Sequence, residues 1–249
     1  MNKLQKLLKI AASPAYWPAF AQGIAPSLEH VTALSDLKIG FCIDVGANKG
    51  QFSLLCRSLF PEAKIVAFEP FAPAADMFTR LFGSSVELHR IALGSADATS
   101  RFHVTRKSDS SSLLAPGAAQ VELYGSEVTE VLDVTVRRLD DILRADQVQR
   151  PSLLKIDVQG GEIEVLRGCG QLLDVIDYIY LEGAFVELYD GQILIGDIID
   201  LLADHDFRLR GVFNVDYTSR FGATQADFLF CRSAVRDLQL KLLRRSASG

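Results

Sequence analysis

Long uninterrupted apolar runs are absent from this 249-residue sequence. No run reaches the ~18 residues that a membrane-spanning helix needs, so an integral membrane protein is not expected. The N-terminal stretch MNKLQKLLKIAAS has a lysine at positions 3, 6 and 9, which leaves no continuous core for a signal peptide. We therefore expect a cytoplasmic protein. Its weakly amphipathic leading helix is expected to be solvated or packed, in preference to peripheral contact with an anionic membrane surface.

Positive charge and cysteine pairs are also scarce. The net charge is −5 and the isoelectric point is about 5.4, so the chain lacks the broad basic footprint of a nucleic-acid-binding protein. The four cysteines include no CxxC pair, a distribution typical of buried thiols in a reducing compartment and not of a zinc site. Glycine and proline are not in excess, while 49% of the residues are hydrophobic and 23% are charged. This composition indicates a globular chain.

One main domain is expected at this length. Residues 1–36 predict a helical extension broken by three prolines, residues 37–234 the main domain, and residues 235–249 a basic tail. In the main domain, strand-like runs alternate with helix-like segments, which indicates right-handed βαβ units and a mainly parallel sheet. The predicted strands are 40–45, 64–69, 86–91, 152–158 and 178–182, and the predicted helices are 50–59, 72–82, 161–167 and 195–204.

Two segments depart from this alternation. Residues 95–138 contain SRFHVTR and VLDVTVRRL, whose β-branched alternation predicts an inserted strand pair joined by a polar loop. The segments FRLRGVFNVDY and ADFLFCR, separated by TSRFGATQ, predict a closing antiparallel hairpin. A parallel sheet that ends in such a hairpin differs from an ordinary dinucleotide-binding domain.

A glycine-rich turn follows the first predicted strand. Asp44, Gly46, Asn48 and Gly50 fall at D-x-G-x-N-x-G spacing, with Ala47 inside the turn. Glycine lets a ligand approach the backbone closely, and Asn tolerates the left-handed conformation. The turn is therefore either a ligand cradle or an ordinary strand-to-helix connection. Asp44 either accepts a hydrogen bond from a ligand amine or caps the turn.

An acid at the end of the second strand favours the ligand interpretation. Glu69 is placed to accept hydrogen bonds from both hydroxyls of a ribose, and Pro70 then turns the chain away. The segment GANKGQ at 46–51 lacks the second and third glycines of the dinucleotide fingerprint. S-adenosylmethionine has no phosphate and offers an amino acid end, a sulfonium and an adenosine. We therefore favour it as the cofactor.

Several segments together carry a resemblance to a known family. In chain order they are DVGANKGQFSL, AFEP, VELHRIALG, SSSLL, KIDVQGGEIEVLRG and ADFLFCR. Over about residues 41–232 the chain resembles the FkbM-type family of S-adenosylmethionine-dependent methyltransferases. The resemblance implies an α/β, class I methyltransferase (Rossmann-like) fold, with a mainly parallel seven-stranded sheet, an antiparallel last strand and helices on both faces. It also implies methyl transfer to oxygen, often on sugars or natural products. The sequence departs from the family at Gln159, where many members carry Glu, and at Gly161, where Ala is common.

Acids near the ends of the later strands are the candidate catalytic residues. Lys155 and Asp157 lie two positions apart, on one side of the pleat. An ion pair in a nearly buried strand is costly, which favours a role in the site over a structural pair. Asp157 is therefore assigned both to catalysis and to cofactor binding, facing the methionine end of the cofactor or the acceptor, with Lys155 fixing its charge. Glu182 closes the next strand and is assigned to catalysis and substrate binding. Glu162 either binds substrate or is stabilised by the dipole of the helix that it begins. No spacing demands a metal, so Mg²⁺ is optional.

Further cofactor contacts are expected from two other segments. Ala92 and Leu93 are expected to line the adenine site through apolar contact. Loop serines are usually structural, and the family resemblance is what singles out Ser111 and Ser112 as cofactor-binding residues. The four histidines follow no pattern, and none is assigned as a base.

The lead functional hypothesis is an S-adenosylmethionine-dependent O-methyltransferase. Its acceptor is expected to be a hydroxyl of a saccharide, such as a polysaccharide or glycan, or of a secondary metabolite. Methyl transfer from a sulfonium is an in-line displacement, so the protein must mainly position the acceptor oxygen, with a base or a metal to assist. The alternatives are a non-catalytic S-adenosylmethionine-binding module and a nicotinamide-dependent oxidoreductase.

Overall fold

The structure, a computed structural model, describes residues 3–235. The N-terminal region has three short helices, α1 (Lys3–Ala11), α2 (Trp17–Phe20) and α3 (Val31–Leu34), and 3-10 turns at Pro14–Tyr16 and Leu28–His30. Pro14 and Pro18 lie in the first turn of a helical segment, where no backbone N–H donor is needed. From residue 236 onward the predicted basic tail lies outside the described residues.

Strands and helices then alternate through the rest of the described chain. The strands are β1 (Phe41–Val45), β2 (Lys64–Phe68), β3 (Glu87–His89), β4 (Ala92–Leu93), β5 (Ala98–Thr105), β6 (Val128–Arg137), β7 (Ser152–Ile156), β8 (Tyr178–Ala184), β9 (Phe207–Thr218) and β10 (Gly222–Arg232). The helices are α4 (Gln51–Leu59), α5 (Ala72–Phe82), α6 (Ala118–Tyr124), α7 (Glu162–Arg167) and α8 (Ile195–Asp204).

Seven of these strands form one sheet, in the order β3-β2-β1-β7-β8-β10-β9. The first five strands in this order pair in parallel. Strand β10 is antiparallel to both β8 and β9. The predicted mainly parallel seven-stranded sheet, with an antiparallel last strand and a closing hairpin, is confirmed.

Helices cover both faces of this sheet, as predicted. Ile43 of β1 belongs to one apolar cluster and its neighbour Cys42 to the other, because successive side chains of a strand point to opposite faces. The first cluster includes Ile163 of α7 and Ile198 of α8, and the second includes Leu55 of α4 together with residues of the N-terminal helices. Burial on both faces explains why β1 reads as a continuous apolar run apart from one acid.

The inserted region forms a second, three-stranded sheet in the order β4-β6-β5. Strands β5 and β6 pair antiparallel, so the predicted inserted strand pair is confirmed. The predicted third strand at 86–91 is too long, because the main sheet keeps only Glu87–His89. Arg90 instead bonds to Asp76 and Thr79 of α5. Strand β4 then pairs with β6 in the second sheet.

The register of the main sheet brings distant acids to one edge. Val45, the last residue of β1, pairs with Phe68 of β2 and Ile156 of β7. Glu182 pairs with Asp227 of β10. The residues that follow β1, β2 and β7 therefore lie side by side, at the carboxyl edge where open α/β sheets bind ligands.

All four cysteines are buried thiols, as the sequence predicts. Within residues 3–235, none of the helices combines the length and the apolar character that crossing a bilayer requires.

Candidate active site

A cavity of about 830 Å³ opens along the carboxyl edge of the main sheet. Ligand pockets typically measure ~300–1,000 Å³, so this cavity has room for two small molecules or one large one. Its wall includes the turn after β1, the end of β2, the polar loop of the insertion, the turn after β7 and parts of β8, β9 and β10. A turn of the N-terminal region, around His30, completes the wall.

The glycine turn after β1 is held tightly against the turn after β7. Gly46 has a φ of 73°, and a Cβ placed there would lie 1.8 Å from the carbonyl oxygen of Asp157. Asn48 has a φ of 47°, so the expected left-handed asparagine is confirmed. At Gly50, with a φ of 94°, a Cβ would meet the Phe82 ring at 2.5 Å. Gly46, Ala47 and Asn48 line the cavity, whereas Gly50 lies behind it.

Glu69 lines the cavity with a carboxylate that is held in place by backbone hydrogen bonds. Oε2 accepts a hydrogen bond from the Asn48 N–H and Oε1 accepts one from the Phe71 N–H, both at 2.8 Å. A carboxylate oxygen has two lone pairs, so each oxygen can accept one further hydrogen bond. Burial raises the pKa of Glu69 to about 7. Pro70, Ala92 and Leu93 also line this end of the cavity, as expected for the cofactor contacts.

Asp44 and Lys155 form an ion pair behind the glycine turn. Asp44 is fully buried and accepts a hydrogen bond from the Ser53 hydroxyl at 2.6 Å. Its other oxygen lies 3.1 Å from the Lys155 ammonium, which also donates to the carbonyls of Val45 and Gly46 at 3.2 and 2.9 Å. Asp44 is not part of the cavity wall. The expected contact between Asp44 and a ligand amine is thus replaced by a contact that holds the turn.

Lys155 lines the cavity, but its ammonium group mainly contacts other atoms of the protein. Burial lowers the pKa of Lys155, but the charges of Asp44 and Asp157 outweigh this effect and raise the pKa above its ordinary value. The ammonium therefore keeps its proton. We describe Lys155 as a positioning residue, in place of the catalytic role that the sequence suggests.

Gln159 joins the two acids that face the middle of the cavity. Its Nε2 donates to Asp157 at 2.8 Å and to Glu182 at 2.7 Å, while its Oε1 accepts from the Tyr189 hydroxyl at 2.8 Å. Gln225 donates to the second oxygen of Glu182 at 3.1 Å. A neutral amide at position 159 can bridge two carboxylates, whereas a Glu there would add a third negative charge.

Asp157 and Glu182 differ in their surroundings. The side chain of Asp157 is 42% exposed and lies 3.8 Å from the Lys155 ammonium. Burial and the charges of Asp157, Asp227 and Glu162 raise the pKa of Glu182 well above its ordinary value. The structure brings both acids to the cavity wall.

Glu162 does not face the cavity. Its Oε1 accepts hydrogen bonds from the N–H groups of Val158 and Gly160, at 3.3 and 3.0 Å, and the residue is only 2% exposed. Burial raises its pKa to about 7. Its contacts close the turn between β7 and α7, and its assignment to substrate binding stays a prediction.

The two serines of the insertion have different surroundings. Ser111 lines the cavity, and its hydroxyl accepts a hydrogen bond from the Thr105 N–H at 3.1 Å. Ser112 is outside the cavity wall and only 1% exposed. Its hydroxyl donates to the Gln159 carbonyl at 2.7 Å and accepts from the Leu114 N–H at 3.0 Å. Ser112 therefore holds the insertion against the turn after β7. Its hydroxyl makes these two contacts and not the direct cofactor contact that was expected.

A histidine and an aspartate that sequence reasoning missed also face the cavity. Nδ1 of His30 lies 3.1 Å from Oδ2 of Asp227 and 2.9 Å from the Tyr180 hydroxyl. Asn214 donates to the same Asp227 oxygen at 2.7 Å. The acid in the otherwise apolar run ADFLFCR was the available sequence signal for Asp227. For His30 there was none, because its partners are distant in the chain.

The described residues bring together few candidate ligands for a metal ion. Within residues 3–235, no group of three or more His, Cys, Asp or Glu side chains could hold one. The optional Mg²⁺ therefore has no support from the geometry.

Residues 44–209 match the family model described as Methyltransferase FkbM domain. The chain is 31% identical to Methyltransferase sdnD of Sordaria araneosa, over 67% of this chain and 73% of that protein. It is 28% identical to 2-O-methyltransferase NoeI of Sinorhizobium fredii, over 74% of this chain and 82% of that protein. It is also 28% identical to Hexuronic acid methyltransferase AglP of Haloferax volcanii, but the match spans only 56% of this chain and 54% of that protein.

The family match begins at Asp44 and so includes the glycine turn and the ends of β2, β7 and β8 that surround the cavity. The seven-stranded sheet with its antiparallel strand β10 has the architecture that the family resemblance implies. On this match, the chain belongs to the FkbM family of S-adenosylmethionine-dependent methyltransferases.

Proposed function

We propose that the protein transfers the methyl group of S-adenosylmethionine to a hydroxyl of a saccharide or of a secondary metabolite. The observation that carries this proposal is the continuity of the cavity. One end is lined by the glycine turn and Glu69, and the middle is lined by Asp157 and Glu182. Donor and acceptor can therefore lie in a single space, which an in-line displacement requires.

The residues at the first end fit the donor. The carboxylate of Glu69, fixed by two backbone N–H groups, can accept hydrogen bonds from both ribose hydroxyls. The buried side-chain oxygen of Asn48 has no hydrogen-bond partner among the described residues, so it can accept one from the ligand. Ala92 and Leu93 supply apolar surface for an adenine. Ser111 is proposed to close this end from the insertion.

The donor's methionine end would lie against the glycine turn. Gly46 lets the backbone approach closely, and Asp157 provides a negative charge for the donor's amino group. When bound, S-adenosylmethionine supplies an electrophilic methyl group. This chain's own residues bind it, orient it and exclude water.

The acceptor region is rich in groups that bind hydroxyls. Glu182 accepts hydrogen bonds, while Gln225 and Asn214 can donate and accept them, and all three line the cavity. Such groups suit a polyhydroxylated acceptor. The names of two relatives, a 2-O-methyltransferase and a hexuronic acid methyltransferase, support the same class.

Donor binding and methyl transfer can be tested in sequence. Thermal unfolding is followed with S-adenosylmethionine, S-adenosylhomocysteine or NAD⁺, since a ligand that binds only the folded state raises the apparent stability. Stabilisation by the first two ligands is expected. Stabilisation by NAD⁺ alone would favour the oxidoreductase alternative. The variant Glu69→Gln should lose most of the donor's effect, whereas Glu62→Gln, an exposed acid before β2, should keep it.

Transfer is then measured with methyl-labelled donor and a panel of tagged hexose, 6-deoxyhexose and hexuronic acid saccharides. We expect label in at least one saccharide and equimolar S-adenosylhomocysteine. Donor binding without transfer to any saccharide or to an extract of secondary metabolites would favour a non-catalytic module.

A further inference from the structure

We propose that His30, held by Asp227, is the general base that removes the proton from the acceptor hydroxyl. This inference rests on the proposed function and adds the base to it. Both residues lie outside the stretch 44–209 that matches the family model. The N-terminal region would therefore complete the catalytic machinery.

The geometry around His30 fixes its ring. The turn Leu28–His30 places the imidazole with Nδ1 at 3.1 Å from Asp227 and at 2.9 Å from the Tyr180 hydroxyl. Asn214 anchors the same aspartate oxygen at 2.7 Å. The His30 side chain is 19% exposed and that of Asp227 is 12% exposed. Both residues line the cavity.

The partners of Nδ1 decide which nitrogen can act as a base. Nδ1 also lies 3.4 Å from the amide nitrogen of Asn214, which can only donate. The charged carboxylate of Asp227, at 3.1 Å, only accepts and is the stronger partner, so it favours the tautomer in which Nδ1 carries the proton. Although burial raises the pKa of Asp227, its hydrogen bonds to His30 and Asn214 lower it below its ordinary value. Asp227 is thus a stable anion. Nε2 of His30 then keeps its lone pair.

The imidazole also lies close to the glycine turn. The rings of His30 and Phe52 are 5.7 Å apart, and the Lys155 ammonium is 5.6 Å from the same Phe52 ring. Lys155 in turn donates to the carbonyl of Gly46. The methionine end of a donor bound against that turn would therefore lie near His30.

The charged and titratable groups around His30 come from several elements. Asp227 is on β10, Tyr180 on β8 and Glu29 on the same turn as His30, while α4 contributes the uncharged Phe52. Burial and the charge of Asp227 raise the pKa of Tyr180, which stays a neutral hydroxyl. Asp227 is therefore the anion that stabilises a protonated imidazole, as in other histidine–aspartate pairs.

Glu182 is the other candidate base in the cavity, and its contacts suit it less. Both of its oxygens already accept hydrogen bonds from amides, those of Gln159 and Gln225. Neighbouring Asp157 and Asp227 disfavour its ionised form. Glu182 is better suited to bind another acceptor hydroxyl.

The proposed step conserves atoms and charge. The acceptor oxygen forms a bond to the methyl carbon, and the bond from that carbon to sulfur breaks. The bonding pair goes to sulfur, which becomes the neutral thioether of S-adenosylhomocysteine. The hydroxyl proton goes to Nε2 of His30, and the resulting imidazolium is paired with Asp227.

Kinetics on variants tests the assignment, with the saccharide that accepts label in the panel described above. His30→Gln should lower kcat by at least ~100-fold, a typical contribution of a general base, with little change in S-adenosylhomocysteine affinity. Asp227→Asn should also lower kcat. His205→Gln, an exposed histidine at the end of α8, is the matched control and should behave as wild type.

If the kcat of His30→Gln stays within about three-fold of the wild-type value, the proposal is overturned and Glu182 becomes the candidate base. Nitrogen-15 spectra of the wild-type protein at about pH 8, above the ordinary imidazole pKa of ~6.5, give a test that needs no variant or acceptor. A proton on Nδ1 of His30 supports the proposal, and a proton on Nε2 overturns it. Failure to bind S-adenosylhomocysteine would instead refute the proposed function, so the two failures are distinguishable.

Discussion

The ion pair behind the glycine turn gives a sharp prediction about stability. The Lys155 ammonium lies 3.1 Å from Asp44 and donates to the carbonyls of Val45 and Gly46. Lys155 is 6% exposed and Asp44 is fully buried. The variant Lys155→Met keeps most of the side-chain volume and removes the charge and all three contacts.

The expected loss of stability follows from the charge that the variant leaves buried. Asp44 would keep the Ser53 hydrogen bond but would be a buried charge without a counter-ion. Removing one partner of a buried pair costs ~3–5 kcal/mol, a large part of the ~5–15 kcal/mol that holds a typical domain folded. The matched control is Lys64→Met. Lys64 is half exposed and pairs with Glu87 at 3.2 Å, so its loss should cost only ~0–1 kcal/mol.

Equilibrium unfolding in urea measures both variants. The double variant Asp44→Asn/Lys155→Met should be less destabilised than Lys155→Met alone, because it leaves no unpaired charge. If Lys155→Met loses no more stability than Lys64→Met, or if the double variant is destabilised at least as much as Lys155→Met alone, the reasoning about the buried pair is refuted.

Three further predictions concern the turns around the cavity. Gly46→Ala puts a Cβ 1.8 Å from the Asp157 carbonyl oxygen, so calorimetric titration should show donor affinity reduced by at least ~10-fold; wild-type affinity would contradict this. Burial raises the pKa of Glu69 from 4.5 to about 7, so folding favours its protonated form, and that contribution is lost as the pH rises through about 7. The unfolding free energy of wild type relative to Glu69→Gln should therefore fall by up to ~3 kcal/mol between about pH 4.5 and 8, and a constant difference would refute it. Ser112→Ala removes the hydrogen bond to Gln159 and should cost ~1–3 kcal/mol in urea unfolding with donor affinity unchanged; lost affinity without lost stability would restore Ser112 as a cofactor contact.

Much of the parallel sheet is predictable from the sequence because its strands are buried on both faces. Strand β1 is predicted to begin at residue 40 and begins at Phe41, and β7 is predicted to begin at residue 152 and does so. The predicted end of β7, at residue 158, lies two residues beyond its observed end at Ile156. Gln159 has a φ of 60°, and no apolar pattern records where a backbone makes such a turn.

The acids of the candidate site are only partly predictable. Parallel strand order predicts that three of the acids, Glu69, Asp157 and Glu182, meet at one edge of the sheet. The structure brings them to one cavity. The direction of a side chain depends on nearby N–H groups, which is why Glu162 turns inward to bond Val158 and Gly160. Sequence spacing carries no information of this kind.

Contacts between the two ends of the described chain could not be predicted. His30 and Asp227 meet because the N-terminal turn packs beside β9. Asp227 lies in the segment ADFLFCR, but no motif includes His30. A lone histidine is more often structural than catalytic. The tertiary structure is what reveals that His30 lies beside Asp227 in the cavity wall.

The most direct test of donor binding in this cavity is a crystal structure with S-adenosylhomocysteine. We expect the ligand along the carboxyl edge of the main sheet, with its ribose hydroxyls within hydrogen-bond distance, ~2.5–3.0 Å, of the Glu69 carboxylate. Its sulfur should lie between the glycine turn and Asp157. A ligand bound elsewhere, or this cavity without ligand at saturating concentration, would contradict the assignment.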